Sequence, residues 1–215
     1  MKTINLSEHN SLLNQYLAEI RDKSYQKNRA LFRNNIRRIG EMMAYELSKS
    51  LTYKPKTVTT PLGTCEIPLI KDDLLLATVL RAGLPFHEGF LHVFDHAENA
   101  FVSAFRMYTN REHTEVGIHT EYMASPSVKG KTLLIVDPML ATGGSACDAI
   151  ATLKKSGFTR IVFLNIIACP EGIARVEREH PDVPIFTAAI DDHLNDRHYI
   201  VPGLGDAGDR LFGTL

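Results

Sequence analysis

Cysteine is scarce in this chain and scattered. Cys65, Cys147 and Cys169 are the only three, far apart and free of any Cys-x-x-Cys pair, which argues against a disulfide framework and for a reducing compartment. An excess of charge of one sign is lacking too. With 24 Lys and Arg against 25 Asp and Glu, the formal net charge is −1, and no basic run occurs, which argues against nucleic acid as the main partner. No apolar run approaches the length of a membrane span. Met1-Lys-Thr-Ile-Asn runs into polar Ser7-Glu-His-Asn, so no signal-peptide core is expected and the expected location is cytoplasmic. Internal repeats and low-complexity stretches are absent. What remains is an ordinary soluble composition, 44% apolar and 23% charged in 215 residues. That fits one large domain or a domain with a small appendage.

The chain is organised around Leu133-Leu-Ile-Val-Asp-Pro-Met-Leu-Ala-Thr-Gly-Gly-Ser-Ala146. Leu133 to Val136 read as a strand buried on both faces of a parallel sheet. The strand stops at Asp137, and Pro138 forbids continuation of the ladder. Thr142-Gly143-Gly144-Ser145 forms a tight turn, after which Ala146, Ala149, Ile150 and Leu153 recur at helical spacing. Strand, carboxylate, Gly-Gly turn and helix together make an anion cradle, with turn amides and the helix dipole facing a phosphate. A carboxylate beside it suits a ligand that also carries hydroxyls, such as a sugar phosphate. No Gly-Lys-Ser/Thr follows, so this is not a Walker loop, and the glycines are not spaced as a dinucleotide fingerprint.

Val136 to Ala146 resembles the phosphoribosyl-diphosphate (PRPP) loop of type I phosphoribosyltransferases. The Asp-Pro-Met-Leu-Ala form is similar to that of the uracil phosphoribosyltransferases, which carry Pro where most relatives have a second acid. By this resemblance Asp137, Pro138, Met139, Leu140, Ala141, Thr142, Gly143, Gly144 and Ser145 bind PRPP. Asp137 then serves the ribose hydroxyls and Thr142 to Ser145 the 5′-phosphate. Mg²⁺ is the implied cofactor, held mainly through PRPP with no direct protein ligand.

Elsewhere the chain alternates strands and helices. Leu74–Leu80, Ala100–Phe105, Ile161–Ala168 and Pro184–Ile190 read as strands, and Pro85–Ala97 and Glu171–Glu179 as helices. A hairpin strand is expected near Glu115 to Met123. Such alternation means an α/β fold with a doubly wound parallel sheet and ligands at the strand C-termini. Arg81, Arg106 and Asp137 each follow directly on an apolar strand, so all three should face one crevice. Guanidinium forks there suit paired phosphate oxygens. Val79-Leu-Arg-Ala-Gly-Leu84 resembles the family's diphosphate loop, which gives Arg81 the pyrophosphate of PRPP. Arg106 resembles the second family arginine, although Met107-Tyr-Thr-Asn110 departs from the usual Asn and acids, and Arg111 competes for the role.

The C-terminal run His198-Tyr-Ile-Val-Pro-Gly-Leu-Gly-Asp-Ala-Gly-Asp-Arg-Leu-Phe-Gly-Thr-Leu215 is too rich in glycine for regular helix or strand. Tyr199, Ile200, Val201, Leu204, Leu211 and Phe212 are expected to anchor it. It closely resembles the uracil-binding hood of the family. Carried over, Ile200, Gly205, Asp206 and Ala207 contact uracil, and Asp206 also serves PRPP, making Asp137, Arg81 and Asp206 the catalytic set. Uracil presents acceptor, donor, acceptor along O2, N3–H and O4, and glycine lets backbone groups approach that edge. Cytosine would leave buried groups unpaired, at about 1–3 kcal/mol each.

Residues 7–50 read as two helices, with Leu13, Leu17 and Ile20 on one face of the first and Phe32, Ile36, Ile39, Met43 and Leu47 striping the second. Arg33, Arg37 and Arg38 read as a solvated face in preference to an anion site. Thr52 to Pro68 suggests a β-hairpin around Pro61-Leu-Gly63 and an oligomer contact. His87-Glu88-Gly-Phe-Leu-His92 is not a zinc motif, because its histidines are five apart and not four; two exposed helix histidines are expected instead. The whole chain, 1–215, reads as a single domain, with a helical segment over 1–50, a β-arm over 52–68 and the hood over 191–215. The resemblance implies a homodimer or higher homo-oligomer, and some family members are activated by GTP. Two other readings stay open: transfer to another base, and a non-catalytic regulator that binds RNA and senses UMP.

Overall fold

The computed structural model describes residues 3–108, 116–124, 128, 130–158 and 160–213. In chain order they form β1 (Ile4–Asn5), α1 (Leu12–Arg21), α2 (Arg29–Ser48), β2 (Tyr53–Thr60), β3 (Gly63–Ile70), β4 (Leu74–Leu80), α3 (Leu84–Val93), β5 (Glu98–Tyr108) and β6 (Val116–Ala124). There follow β7 (Thr132–Val136), β8 (Met139–Leu140), α4 (Gly144–Lys154), β9 (Arg160–Ala168), α5 (Pro170–Glu179), β10 (Ile185–Ile190), β11 (His193–Leu194), β12 (Ile200–Val201) and α6 (Ala207–Phe212).

The main sheet runs β1-β10-β9-β7-β4-β5-β6, parallel throughout except for β6, which pairs antiparallel with β5. After β4 the chain adds β5 on one side, then returns to place β7 on the other. The order therefore reverses between β4 and β7, and a parallel sheet opens its ligand crevice at such a switch point, beyond the strand C-termini. Thr78 lies opposite Val136 in that pair, so Arg81 and Asp137 emerge at the same edge.

Burial on both faces explains the unbroken apolar runs. Leu133 to Val136 are fully buried, as are Leu75, Leu76 and Ala77. One apolar layer gathers α1, α2, α3 and α6 against the sheet, the other α4 and α5. The stripes read from the sequence face inward: Leu13, Leu17 and Ile20 on α1, and Phe32, Ile36, Ile39, Met43 and Leu47 on α2. Helices α2 and α3 cross in close backbone contact, because a Cβ on Gly89 would lie 2.1 Å from the Arg37 carbonyl oxygen.

Several expectations need correction. Helix α3 ends at Val93 and not Ala97. His87 is buried rather than exposed; its Nε2 lies 2.7 Å from Asn99 Oδ1, and burial pushes its pKa down. An imidazole on the sheet-facing side of α3 is stable because Asn99 supplies a partner. His92 does face solvent, with Nδ1 2.9 Å from Glu41 Oε1. Strand β5 runs past Phe105 to Tyr108 because β6 pairs with it there. The hairpin β2–β3 turns through Pro61 and Leu62, with Thr60 opposite Gly63, and stands almost wholly exposed.

Candidate active site

The cradle is built by local geometry. Asp137 N–H donates to Leu164 O at 3.0 Å as β7 ends. Pro138 O then accepts from the Ile166 and Ile167 amides at 3.0 and 3.1 Å, and Met139 and Leu140 pair with Ile167 and Ala168. This short strand turns the chain back over the sheet edge. Gly143 follows with φ +76°, a left-handed conformation natural to glycine. It also occupies the N-cap of α4, where no side chain caps the helix. Thr142 Oγ1 accepts only a long bond from Gly144 N–H, 3.4 Å. The first amides of an eleven-residue helix are thus left for an anion. A 100 Å³ cavity lies over them, lined by Asp137 and by residues Met139 to Ala146.

Helix α5 explains why this turn excludes side chains. A Cβ on Gly143 would lie 2.9 Å from Gly172 O and 3.2 Å from Arg175 Cβ, and one on Gly172 would meet Ala141 O at 2.3 Å. Arg175 reaches over the turn and donates from Nε to Glu179 Oε1 at 3.0 Å. Gly172 and Arg175 shape the cradle from thirty residues away, and nothing in their own spacing announced it. The only available signal was Gly172 within a run that packs a helix onto a loop.

Asp137 keeps part of its surface open to the cavity, yet the apolar strand end around it raises its pKa from 3.8 to about 7. The Met139 amide, 3.4 Å from Oδ1, opposes this only weakly. Near neutral pH this carboxyl is therefore poised to take or release a proton.

Arg81 stands across the switch point. The loop that carries it is tucked between β4 and β7: Gly83 is buried, and a Cβ there would collide with Thr78 Oγ1 at 2.1 Å. The Leu80–Arg81 peptide is cis. Arg81 itself is exposed, and its guanidinium has no hydrogen bond or ion pair within the described residues. Arg106 does not sit at a strand end as expected. Its backbone lies inside β5, opposite Ile118, in the part of β5 that extends beyond the end of β4. Arg111 falls outside the described residues.

The hood folds back over the same edge. Strands β11 and β12 pair, Ile200 is buried, and the chain turns at a cis Val201–Pro202 bond and at Gly203. Contrary to expectation, regular structure does form. The chain closes with the helix α6, whose N-cap Asp206 accepts from Asp209 N–H at 3.0 Å. Leu204 and Leu211 anchor the segment, whereas Tyr199 and Phe212 stay substantially exposed. A 280 Å³ pocket opens between Met139, Ala141, Tyr199, Ile200, Gly205 and Asp206, with Ala207 also on its wall. Met139 and Ala141 line the cavity over the Gly143 turn as well. The two cavities adjoin.

The N-terminal helices hold this hood, a role the sequence did not disclose. Arg21 makes a bidentate pair with Asp191, 2.6 and 2.8 Å, and also donates to Gly203 O at 3.1 Å. Gly203 N–H donates to the same carboxylate at 2.8 Å. Gln26 donates to Leu204 O at 2.9 Å, and Arg33, read from sequence as solvated, donates to Leu211 O at 2.8 Å.

With the geometry in hand, comparison with known proteins is direct. The family model for uracil phosphoribosyltransferase matches residues 7–214. A curated uracil phosphoribosyltransferase from Porphyromonas gingivalis is 49% identical over 215 residues, covering 99% of each chain. One from Agrobacterium fabrum is 40% identical over the full length of both. Among solved structures, the AQ2163 protein from Aquifex aeolicus superposes with a TM-score of 0.88 at 32% identity, over 99% of each chain. A hypoxanthine phosphoribosyltransferase from Staphylococcus aureus, TM-score 0.51 at 15% identity and covering 79% and 83%, shares the fold. The glycine-lined cavity, the adjoining C-terminal pocket and above all this end-to-end similarity lead to one assignment: the chain belongs to the uracil phosphoribosyltransferase family.

Proposed function

We propose that this protein transfers the 5-phosphoribosyl group of PRPP to uracil, giving UMP and diphosphate in pyrimidine salvage. The observation that carries the reading is the shared wall of Met139 and Ala141 between the phosphate cavity and the hood pocket. One nucleotide can fill both cavities at once.

In this reading the free amides after Gly143 hold the 5′-phosphate and Asp137 accepts hydrogen bonds from the ribose hydroxyls. Arg81 grips the diphosphate together with Arg106 or Arg111. Uracil lies in the hood, its O2, N3–H and O4 edge read by backbone of Ile200, Gly205, Asp206 and Ala207. Bond formation from N1 to C1′ accompanies cleavage of the C1′–O bond to diphosphate, and N1 gives up its proton. Positive charge develops at the sugar while negative charge gathers on the leaving group. The chain's part is to align the two reactants and to place cationic side chains where that negative charge grows. Mg²⁺, carried in mainly on the PRPP oxygens, would neutralise part of the diphosphate charge. Asp137, a part-open carboxyl beside the cradle, is compatible with a hard hydrated cation there.

Residues 1–215 act as one catalytic domain in the cytoplasm. The exposed hairpin, with Leu62, Ile67 and Leu69 bared, supports a homodimer or higher homo-oligomer, and GTP is the candidate effector. Assay of nucleotide formation with a panel of bases tests the proposal. Uracil should give UMP while cytosine and hypoxanthine give little, and equal rates with hypoxanthine would overturn the base assignment.

A further inference from the structure

We propose that Arg175 is a further ligand of the transferred sugar's 5′-phosphate, closing over the Gly143 turn from helix α5. This role rests on that turn being the 5′-phosphate site. The cradle has no cation of its own. From Asp137 to Ala146 the chain carries one ionisable side chain, and it is a carboxyl. A phosphate monoester brings a charge of about −1.5 to −2 at neutral pH. Amides and hydroxyls alone would have to offset that charge beside Asp137. Arg81 stands across the switch point and is committed in this reading to the diphosphate.

Arg175 supplies the missing cation. Its Nη1 lies 3.2 Å from a Cβ built on Gly144, and Thr142 Oγ1 lies 3.6 Å from the same point. The guanidinium and the Thr142 hydroxyl therefore flank one corner of the α4 N-terminus. Gly144 leaves that corner open. Unlike Gly143, it has no positive φ to accommodate, so its missing side chain serves close approach and not backbone conformation. Arg175 Nε donates to Glu179 Oε1 at 3.0 Å, whereas Nη1 and Nη2 make no hydrogen bond among the described residues. The part-exposed fork thus keeps its terminal donors unspent beside the cradle.

One face of α5 builds this arm. Gly172, Arg175 and Glu179 follow one another three and four residues apart, so they share a side of the helix. Gly172 packs against Ala141 O, Arg175 reaches the turn, and Glu179 holds Arg175 from behind. Glu179 also accepts from Arg178 Nη2 at 3.0 Å. The Cys147 thiol, then Arg178 and Arg175, hold its carboxyl below the usual range, so it is ionised at neutral pH. Glu179 therefore acts on Arg175 in two ways: it fixes the Nε edge, and it neutralises part of the charge. Glutamine separates the two, because it keeps an acceptor for Nε and carries no charge.

The test is calorimetric titration of the full chain with ribose 5-phosphate, with magnesium diphosphate as the comparison ligand. Arg175→Gln should weaken ribose 5-phosphate about fivefold or more, as loss of a charge-assisted hydrogen bond requires, and leave diphosphate binding unchanged. In turnover assays the KM for PRPP should rise by a similar factor, with kcat and the KM for uracil little changed. The gap between parent and variant should narrow at high salt, which screens a charge but does not restore lost packing. Glu179→Gln should act in the opposite sense and tighten ribose 5-phosphate about twofold. If Arg175 only props the turn, the two variants cannot differ in sign. Parent-like binding of ribose 5-phosphate by Arg175→Gln, an equal loss of diphosphate binding, or weaker binding by Glu179→Gln would each overturn the role of Arg175 and leave the cradle standing. A parent protein that fails to bind ribose 5-phosphate would overturn the phosphate reading of the turn itself, and this role with it.

Discussion

Asp137→Asn should make the protein more stable and less able to bind PRPP. Burial raises the Asp137 carboxyl from 3.8 to about 7, so the fold holds its proton more tightly than the unfolded chain does. The stability this group contributes is complete below about pH 4 and is lost as pH rises toward 7. Three pKa units correspond to ~4 kcal/mol; with one edge of the residue open to solvent, ~2 kcal/mol is the better figure. Asparagine has the same shape, keeps an acceptor for the Met139 amide and carries no charge to desolvate. At pH 8 urea unfolding of the variant should therefore shift upward by about 1 M, and at pH 4 the two proteins should nearly coincide. The same change removes charge-assisted bonds to the ribose hydroxyls, weakening PRPP by about tenfold or more. A variant less stable than the parent at pH 8, or a difference independent of pH, would refute the reasoning.

Other consequences follow from the same contacts. The KM for PRPP should rise as pH falls below about 7, because binding then has to release the Asp137 proton; a flat profile from pH 5.5 to 8 would contradict this. Gly143→Val forces a β-branched residue to φ +76° against Gly172 O, and ribose 5-phosphate binding should be lost while circular dichroism stays native. Gly89→Ala drives a methyl into the Arg37 carbonyl and should lower stability by about 1–3 kcal/mol in chemical unfolding. Arg21→Ala leaves the Asp191 carboxylate without its bidentate partner; uracil KM should rise several-fold with PRPP KM little changed, and the opposite split would count against the hood's being the base site.

Much of this architecture was legible because burial on both faces demands an unbroken apolar run. Leu133 to Val136 carry that signature, Ile161 to Ala168 carry it with Asn165 as a single buried polar interruption, and the stripes on α1 and α2 carry the helical one. Placement of Arg81 and Asp137 at one edge followed from strand ends alone. Other features depend on partners distant in sequence. Asn99 makes a buried His87 tolerable, and β6 extends β5 through Arg106. Gly172 and Arg175 close the cradle from α5, and Arg21, Gln26 and Arg33 hold a hood some 170 residues further along. No local pattern encodes such pairings. Glycine content hid α6 because two of its neighbours, Asp206 and Gly213, are caps and not breaks.

The most direct test of the central claim is a structure of the protein with UMP bound. Its phosphate should sit on the amides of Thr142 to Ser145 and its uracil against Ile200, Gly205 and Ala207, with Met139 and Ala141 between them. A nucleotide whose phosphate and base lie outside either cavity would contradict the account.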